Sequence, residues 1–177
     1  MVCYICSVEV PAWGRPSANI WPRRIPNWNA PNHGHIGFYR HSPSPVEVKI
    51  GDVLDNVLNF YGPAIRPGKV IVEKRYDSKD VIRGFPSEIT QVFSNLVENA
   101  LEALTPGGIL QLHVLASRDW RNPTRCGVRV YIADNGPGIS GEDRRRIFEP
   151  FFTTKGEKGT GLGLWVAKGI VASSSSE

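Results

Sequence analysis

Between Ile89 and Leu104, apolar residues fall at 89, 92, 93, 96, 97, 100, 101 and 104. This three-four spacing marks one face of an α-helix. Pro86 and Ser87 precede the run, with Ser87 as the expected N-cap, and Thr105-Pro106-Gly107-Gly108 ends it, because proline and paired glycines do not continue a helix. Alternating segments follow, from Ile109 to Ala116 and from Val128 to Ala133, and predict two strands with one apolar side each. A polar loop around Trp120 and Pro123 separates them.

Upstream, Val46 to Ile50 alternates as a strand, and Asp52 is the expected cap of a helix carrying Val53, Leu54, Val57, Leu58 and Tyr61 on one face. Gly62-Pro63 and Pro67-Gly68 interrupt the chain before a further strand from Val70 to Tyr76. The first 35 residues differ from the rest. Prolines at 11, 16, 22, 26 and 31 forbid a helix of useful length, and three tryptophans lie among them. No strand is expected before Val46, and residues 1–35 read as a disordered segment.

Composition excludes several classes. No apolar run approaches the roughly 18 residues that span a bilayer. The N-terminus lacks a signal-peptide pattern, so a cytoplasmic location without a membrane segment is expected. A net charge of +4 without a dense Lys/Arg run argues against nucleic-acid binding. Cys3 and Cys6 form a C-x-x-C upstream of His33 and His35, but the long Pro/Trp-rich gap favours free cysteines over a zinc site.

Four segments carry chemistry. Asn95 and Asn99 stack on one helix face. An amide oxygen there suits Mg²⁺ already bound to phosphate, although in isolation a polar helix edge is the favoured reading of the pair. Asp134-Asn135-Gly136-Pro137-Gly138-Ile139 ends a strand with a carboxylate and two glycines. Such a carboxylate can accept a hydrogen bond from an adenine amine while the glycines admit a flat base, but a plain turn also fits. Phe148, Phe151 and Phe152 lead into Thr153-Thr154-Lys155, as in a flap anchored by aromatics that carries a cation over phosphates. Gly159-Thr160-Gly161-Leu162-Gly163-Leu164 then runs into a helical stretch from Trp165 to Val171, placing glycine amides at a helix N-terminus that attracts anions.

In this order the segments resemble the N, G1, F and G2 boxes of the ATP-binding domain of sensor histidine kinases. That domain belongs to the superfamily shared with gyrase B, Hsp90 and MutL. The N box is Gln91-x-x-x-Asn95-Leu96-x-x-Asn99-Ala100, and the likeness covers about residues 46 to 171. It implies an α/β two-layer sandwich of the Bergerat type, a mixed sheet with helices on one face. ATP and Mg²⁺ are the implied cofactors, and Asn95, Asn99 and Lys155 the implied catalytic residues, with Asn99 on the metal. Asp134, Gly136, Gly138 and Ile139 would hold the base, next to Phe148 and Phe152. Thr154, Lys155, Gly159, Thr160, Gly161, Leu162, Gly163 and Leu164 would cover the triphosphate. Gyrase and Hsp90 use a glutamate at the place of Asn95 to activate water. Asparagine is no general base at neutral pH, which fits transfer to a separate acceptor.

The family's acceptor histidine sits in a helix before an acidic residue, and none of His33, His35, His41 and His113 has that context. Residues 36–45, with Phe38-Tyr39-Arg40, resemble the remnant of a dimerisation helix. After Val171, where family members continue into further strands, residues 172–177 are a Ser-rich tail, so the last strands are expected to be missing. The expected function is γ-phosphate transfer from Mg-ATP to a histidine on a dimerisation domain outside this chain, and through it to a response regulator. A non-catalytic nucleotide-binding regulatory module or an inactive fragment is the alternative, and an anti-sigma-type serine kinase is a third option.

Overall fold

The computed structural model describes residues 8–11, 44–77, 80–118, 126–156 and 159–175. In chain order these form β1 (Val8–Pro11), β2 (Val46–Lys49), α1 (Ile50–Phe60), α2 (Gly62–Ile65), β3 (Ile71–Tyr76), β4 (Val81–Gly84), α3 (Pro86–Ala103), β5 (Ile109–Arg118), β6 (Cys126–Asp134) and α4 (Gly163–Ser175). The main sheet has the order β1-β6-β5-β3 and is mixed: β3 runs parallel to β5, and the other pairs are antiparallel. β2 and β4 form a separate antiparallel pair.

Strand alternation builds the core. Leu110, Leu112 and Val114 of β5 and Val128, Val130 and Ile132 of β6 are buried, and the register sets Leu112 opposite Ile132 and Val114 opposite Val130. Side chains two apart share a face, so one face of the sheet is continuously apolar. Val53, Leu54 and Val57 of α1, Phe93, Val97 and Ala100 of α3 and Ala167 of α4 complete the same core. This is the expected α/β arrangement of a mixed sheet covered by helices. The intervening positions, Gln111, His113, Arg129 and Tyr131, lie on the other face, where the Gln111 amide donates to Glu73 at 2.7 Å. β3 ends the sheet with exposed Glu73, Lys74 and Arg75, charges that discourage pairing with another chain. Among the described residues no helix is long and apolar enough to cross a membrane.

Several local expectations need correction. α1 starts at Ile50, and its cap comes from 29 residues downstream rather than from Asp52. The Ile50 amide donates to the Asp80 carbonyl at 2.9 Å and the Gly51 amide to Asp80 Oδ2 at 2.8 Å. The Asp80 backbone carbonyl and its buried carboxylate thus take one orphan donor each at the positive end of the helix, while Asp52 makes only a surface pair with Lys49 at 3.3 Å. α3 has extended Phe85 as its N-cap and Pro86 in its first turn, without a side-chain cap, so Ser87 is inside the helix. Proline fits there because it removes one of the unpaired donors.

β4 was not expected, since four residues with a single buried side chain, Ile82, give no period to read. Nor was a strand expected before Val46, yet Val8–Pro11 pairs along β6 with Val8 opposite Val130. The alternation Val8-Glu9-Val10 is too short to register on its own, and the free edge of β6 selects it. The expectations for Cys3, Cys6, His33, His35, His41, Phe38 to Arg40, Trp120 and Pro123 fall outside the described residues.

Two predictions follow from these contacts. Alanine normally improves a helix over glycine by about 0.5–1 kcal/mol, but a Cβ on Gly51 would stand 2.7 Å from Asp80 Oδ2 and 2.8 Å from Tyr76 Cδ2. Gly51→Ala is therefore expected to lower stability by about 1–3 kcal/mol in urea titration; a stabilised variant would refute the Asp80 cap. Deleting residues 1–11 is expected to speed amide exchange along residues 127–130 of β6 relative to the centre of β5. Unchanged protection there would show that β1 does not cover the edge in solution.

Candidate functional site

α3 gathers the site residues on one face. Asn95, Asn99, Glu102 and Ala103 are separated by four, three and one residues, which spreads them over roughly 100° of the helix and about 12 Å of its length. Asn95 Nδ2 donates to the Gly163 carbonyl at 2.9 Å, while its Oδ1 accepts from Gln91 Nε2 at 2.9 Å. Asn99 Oδ1 accepts from the Lys155 ammonium at 2.9 Å, and the same ammonium is paired with the Glu102 carboxylate. At Gly136 a Cβ would lie 2.8 Å from the Ala103 carbonyl oxygen. The glycine loop, the flap and the turn after β6 therefore all land on this helix.

Asp134 is the last residue of β6 and pairs with Leu110. It has the same strand parity as Val130 and Ile132, so its side chain is on the helix side, 6% exposed. The Gly136 amide donates to its Oδ1 at 2.8 Å. Burial pushes the carboxyl above its ordinary pKa, and the Gly136 hydrogen bond opposes that shift. Asn135 ties the turn back to β5, its side-chain oxygen accepting from the Ile109 amide at 2.8 Å. Gly138 has φ +79°, a conformation that favours glycine, and Ile139 beside it is half-buried.

The flap begins where Ser140 and Asp143 bond each other at 2.7 Å, opening a 3-10 turn over Asp143–Arg145. Phe148 and Phe152 are half-buried, whereas Phe151 is 74% exposed. Lys168 of α4 sits 5.4 Å from the Phe148 ring centroid and Arg146 sits 4.4 Å from that of Phe152, distances at which a cation is attracted to the ring face. Phe151 has φ 65° and Gly161 φ 66°; a Cβ on Gly161 would run into the Phe151 carbonyl carbon. The phenylalanine turn and the glycine loop thus interlock through backbone.

Thr153 organises the loop: its Oγ1 accepts from the Lys155 amide at 3.1 Å and fills the space that a Cβ on Gly159 would need. Thr154 is exposed next to it. Thr160 Oγ1 accepts from the Leu162 amide at 3.4 Å, and α4 starts at Gly163 with the Val166 amide bonded to the Leu162 carbonyl at 2.9 Å. The first amides of α4 are orphan donors of the kind that binds anions. Half-buried Leu164 packs against the core. Pattern reading missed Glu102 and Thr153; an acidic residue three positions after Asn99 was the only available sign of the first.

Among the described residues no group of three or more His, Cys, Asp or Glu could cage a metal. Asn99 Oδ1 nevertheless faces a cation, the Lys155 ammonium, so this oxygen fits a metal that takes its remaining ligands from phosphate and water, as Mg²⁺ does. Burial and then the charges of Glu98 and Glu102 push the Tyr61 hydroxyl up to about 12.

Residues 84–176, more than half of the chain, match the family described as histidine kinase-, DNA gyrase B-, and HSP90-like ATPase. The chain is 34% identical over 136 residues to the sensory histidine kinase/phosphatase NtrB of Rhodobacter capsulatus, which covers 73% of this chain and 38% of NtrB. The solved catalytic domain of histidine kinase ThkA superposes with a TM-score of 0.60 at 31% identity, covering 71% of this chain and 78% of that one. Full-length ShkA in complex with AMPPNP superposes with a TM-score of 0.60 at 27% identity, covering 78% and 28%. These likenesses agree: the chain belongs to the histidine kinase-, DNA gyrase B- and HSP90-like ATPase family, as an ATP-binding catalytic domain of the sensor histidine kinase kind.

Proposed function

We propose that this domain binds Mg-ATP and presents its γ-phosphate to a histidine on a dimerisation domain outside the chain, from which a response regulator takes the phosphate onward in the cytoplasm. The observation that carries this is the landing of three separate segments on Asn95, Asn99 and Ala103 of α3. Asp134 accepts from the adenine amine in a pocket shaped by Gly136, Gly138 and Ile139, flanked by Phe148 and Phe152. Asn99 would hold Mg²⁺ through its amide oxygen, and the ion, when bound, would supply charge neutralisation on the triphosphate. The amides between Gly159 and Leu164 and the N-terminus of α4 bind phosphate oxygens, with Thr154, Thr160 and Lys155 beside them. Catalysis is then positioning and charge neutralisation, without a general base from the chain.

His113, the one histidine among the described residues, lies on the sheet face opposite α3. That geometry supports an acceptor in trans, and it also leaves room for a module that binds nucleotide and transfers nothing. Adding a separate acceptor domain and assaying acid-labile phosphohistidine separates the two.

Mg²⁺-dependent binding of a fluorescent ATP analogue to the whole chain is the direct test. Asp134→Asn loses a charge-assisted hydrogen bond worth about 1.5–3 kcal/mol and Asn99→Asp sets a negative charge against the triphosphate; each is expected to weaken binding about 10- to 100-fold, and unchanged affinity in both refutes the assignment.

The pH dependence has a definite sign. Because burial raises the Asp134 pKa above its unfolded value, the folded domain holds that proton more tightly, and stability falls as pH rises through the folded pKa. Analogue binding needs the ionised carboxylate and weakens as pH falls through the same pKa, at a higher pH than an ordinary carboxylate would give. At neutral pH, Asp134→Asn is expected to melt no lower than the parent while binding worse. A lower Tm would show that ionised Asp134 stabilises the fold.

A further inference from the structure

We propose that Glu102 and Asn99 form a latch for the flap: the Lys155 ammonium occupies the amide oxygen assigned above to Mg²⁺, so lysine and metal-nucleotide exclude one another at Asn99, and Glu102 sets how firmly the lysine stays. The inference rests on the preceding reading of Asn99. Both oxygens meet one ammonium, and they come from adjacent positions on one helix face. A divalent cation on Asn99 Oδ1 would stand within a few ångströms of that ammonium, and two cations at such a distance repel and compete for the one oxygen.

The chain is built for the lysine to move alone. Its backbone amide is fixed to Thr153 Oγ1 at 3.1 Å, so the side chain can leave Glu102 and turn to a triphosphate while its root stays in place. The Lys155 and Glu102 side chains are 40% and 50% exposed. A pair so exposed is weak, strong enough to bias the flap and too weak to lock it. Tyr61, beside Glu98 and Glu102, stays neutral at physiological pH and offers no competing charge. Glu102 is outside the buried core, which leaves its charge without a packing role.

The test is a Mg²⁺ titration of fluorescent ATP-analogue binding to the full chain. Glu102→Gln is expected to lower the Mg²⁺ midpoint about two- to five-fold, the range of an exposed ion pair, and to raise amide exchange at residues 151–156 without nucleotide. In a Lys155→Met background Glu102→Gln should add nothing, since coupled residues are non-additive. Glu98→Gln removes an equal charge from the same helix and should shift the midpoint less.

An unchanged or raised midpoint in Glu102→Gln overturns the latch, as does a full shift that persists without Lys155. Equal shifts in the Glu98 and Glu102 variants would reduce the effect to the local field and overturn it too. If the parent binds no analogue at any Mg²⁺ concentration, the Mg-ATP reading itself fails and the latch with it, whereas normal parental binding with an inert Glu102 variant removes the latch alone.

Discussion

The packing of α3 between α1, α4 and the β6 side of the sheet is the contact on which the rest depends. Phe93 and Val97 are fully buried and Ala100 is 5% exposed, and each large side chain is worth about 1.5–3 kcal/mol of burial. The same helix presents Asn95, Asn99 and Glu102 to the cleft. With 3.6 residues per turn the two faces cannot be set independently: a slip of one residue turns the helix by about 100°. It would take the amides out of the cleft and expose Phe93. The hydrophobic core therefore fixes the orientation of the polar site, and a core substitution that rotates α3 acts on nucleotide binding without touching a site residue.

Asp134 imposes the second constraint, in the opposite sense. Strand parity sends its carboxylate into the helix layer with Val130 and Ile132, where an apolar residue would suit the fold better. Desolvation there disfavours the charged form, and the Gly136 amide offsets only part of the cost. A group kept desolvated in the free domain gains most from a ligand that supplies a hydrogen-bond donor. The glycines around it serve this end, since a Cβ at Gly136 would strike both the Ala103 carbonyl and Asp134 itself.

Periodic features were legible in the sequence, and contacts over long separations were not. The stripe from Ile89 to Leu104 and the alternation in β5 and β6 repeat often enough to identify elements, and Asp134 is placed by the strand that it ends. The cap of α1 is different: Gly51 and Asp80 are 29 residues apart and meet because the pairing of β2 with β4, which sets Lys49 opposite Val81, brings them together. Glu102 looks like any solvent-facing helix residue until Lys155, 53 residues later, folds onto it. Among the three phenylalanines, composition could not separate the two that pack from Phe151, whose left-handed backbone turns its ring outward. The threonine pair posed the same problem, and Thr153, rather than the exposed Thr154, braces the glycine loop.

Asn95 is a position where an amide does what a carboxylate cannot. It must donate to the Gly163 carbonyl and accept from Gln91 at once. A carboxylate at neutral pH only accepts, so it would meet the Gly163 carbonyl oxygen lone pair to lone pair and push the start of α4 away from α3. The first turn of α4 is thus held by a side chain that cannot take a proton at neutral pH. The position of the α4 N-terminus and the absence of a base at residue 95 are two results of one hydrogen-bond requirement. A change that restored a base at this position would have to find another anchor for α4.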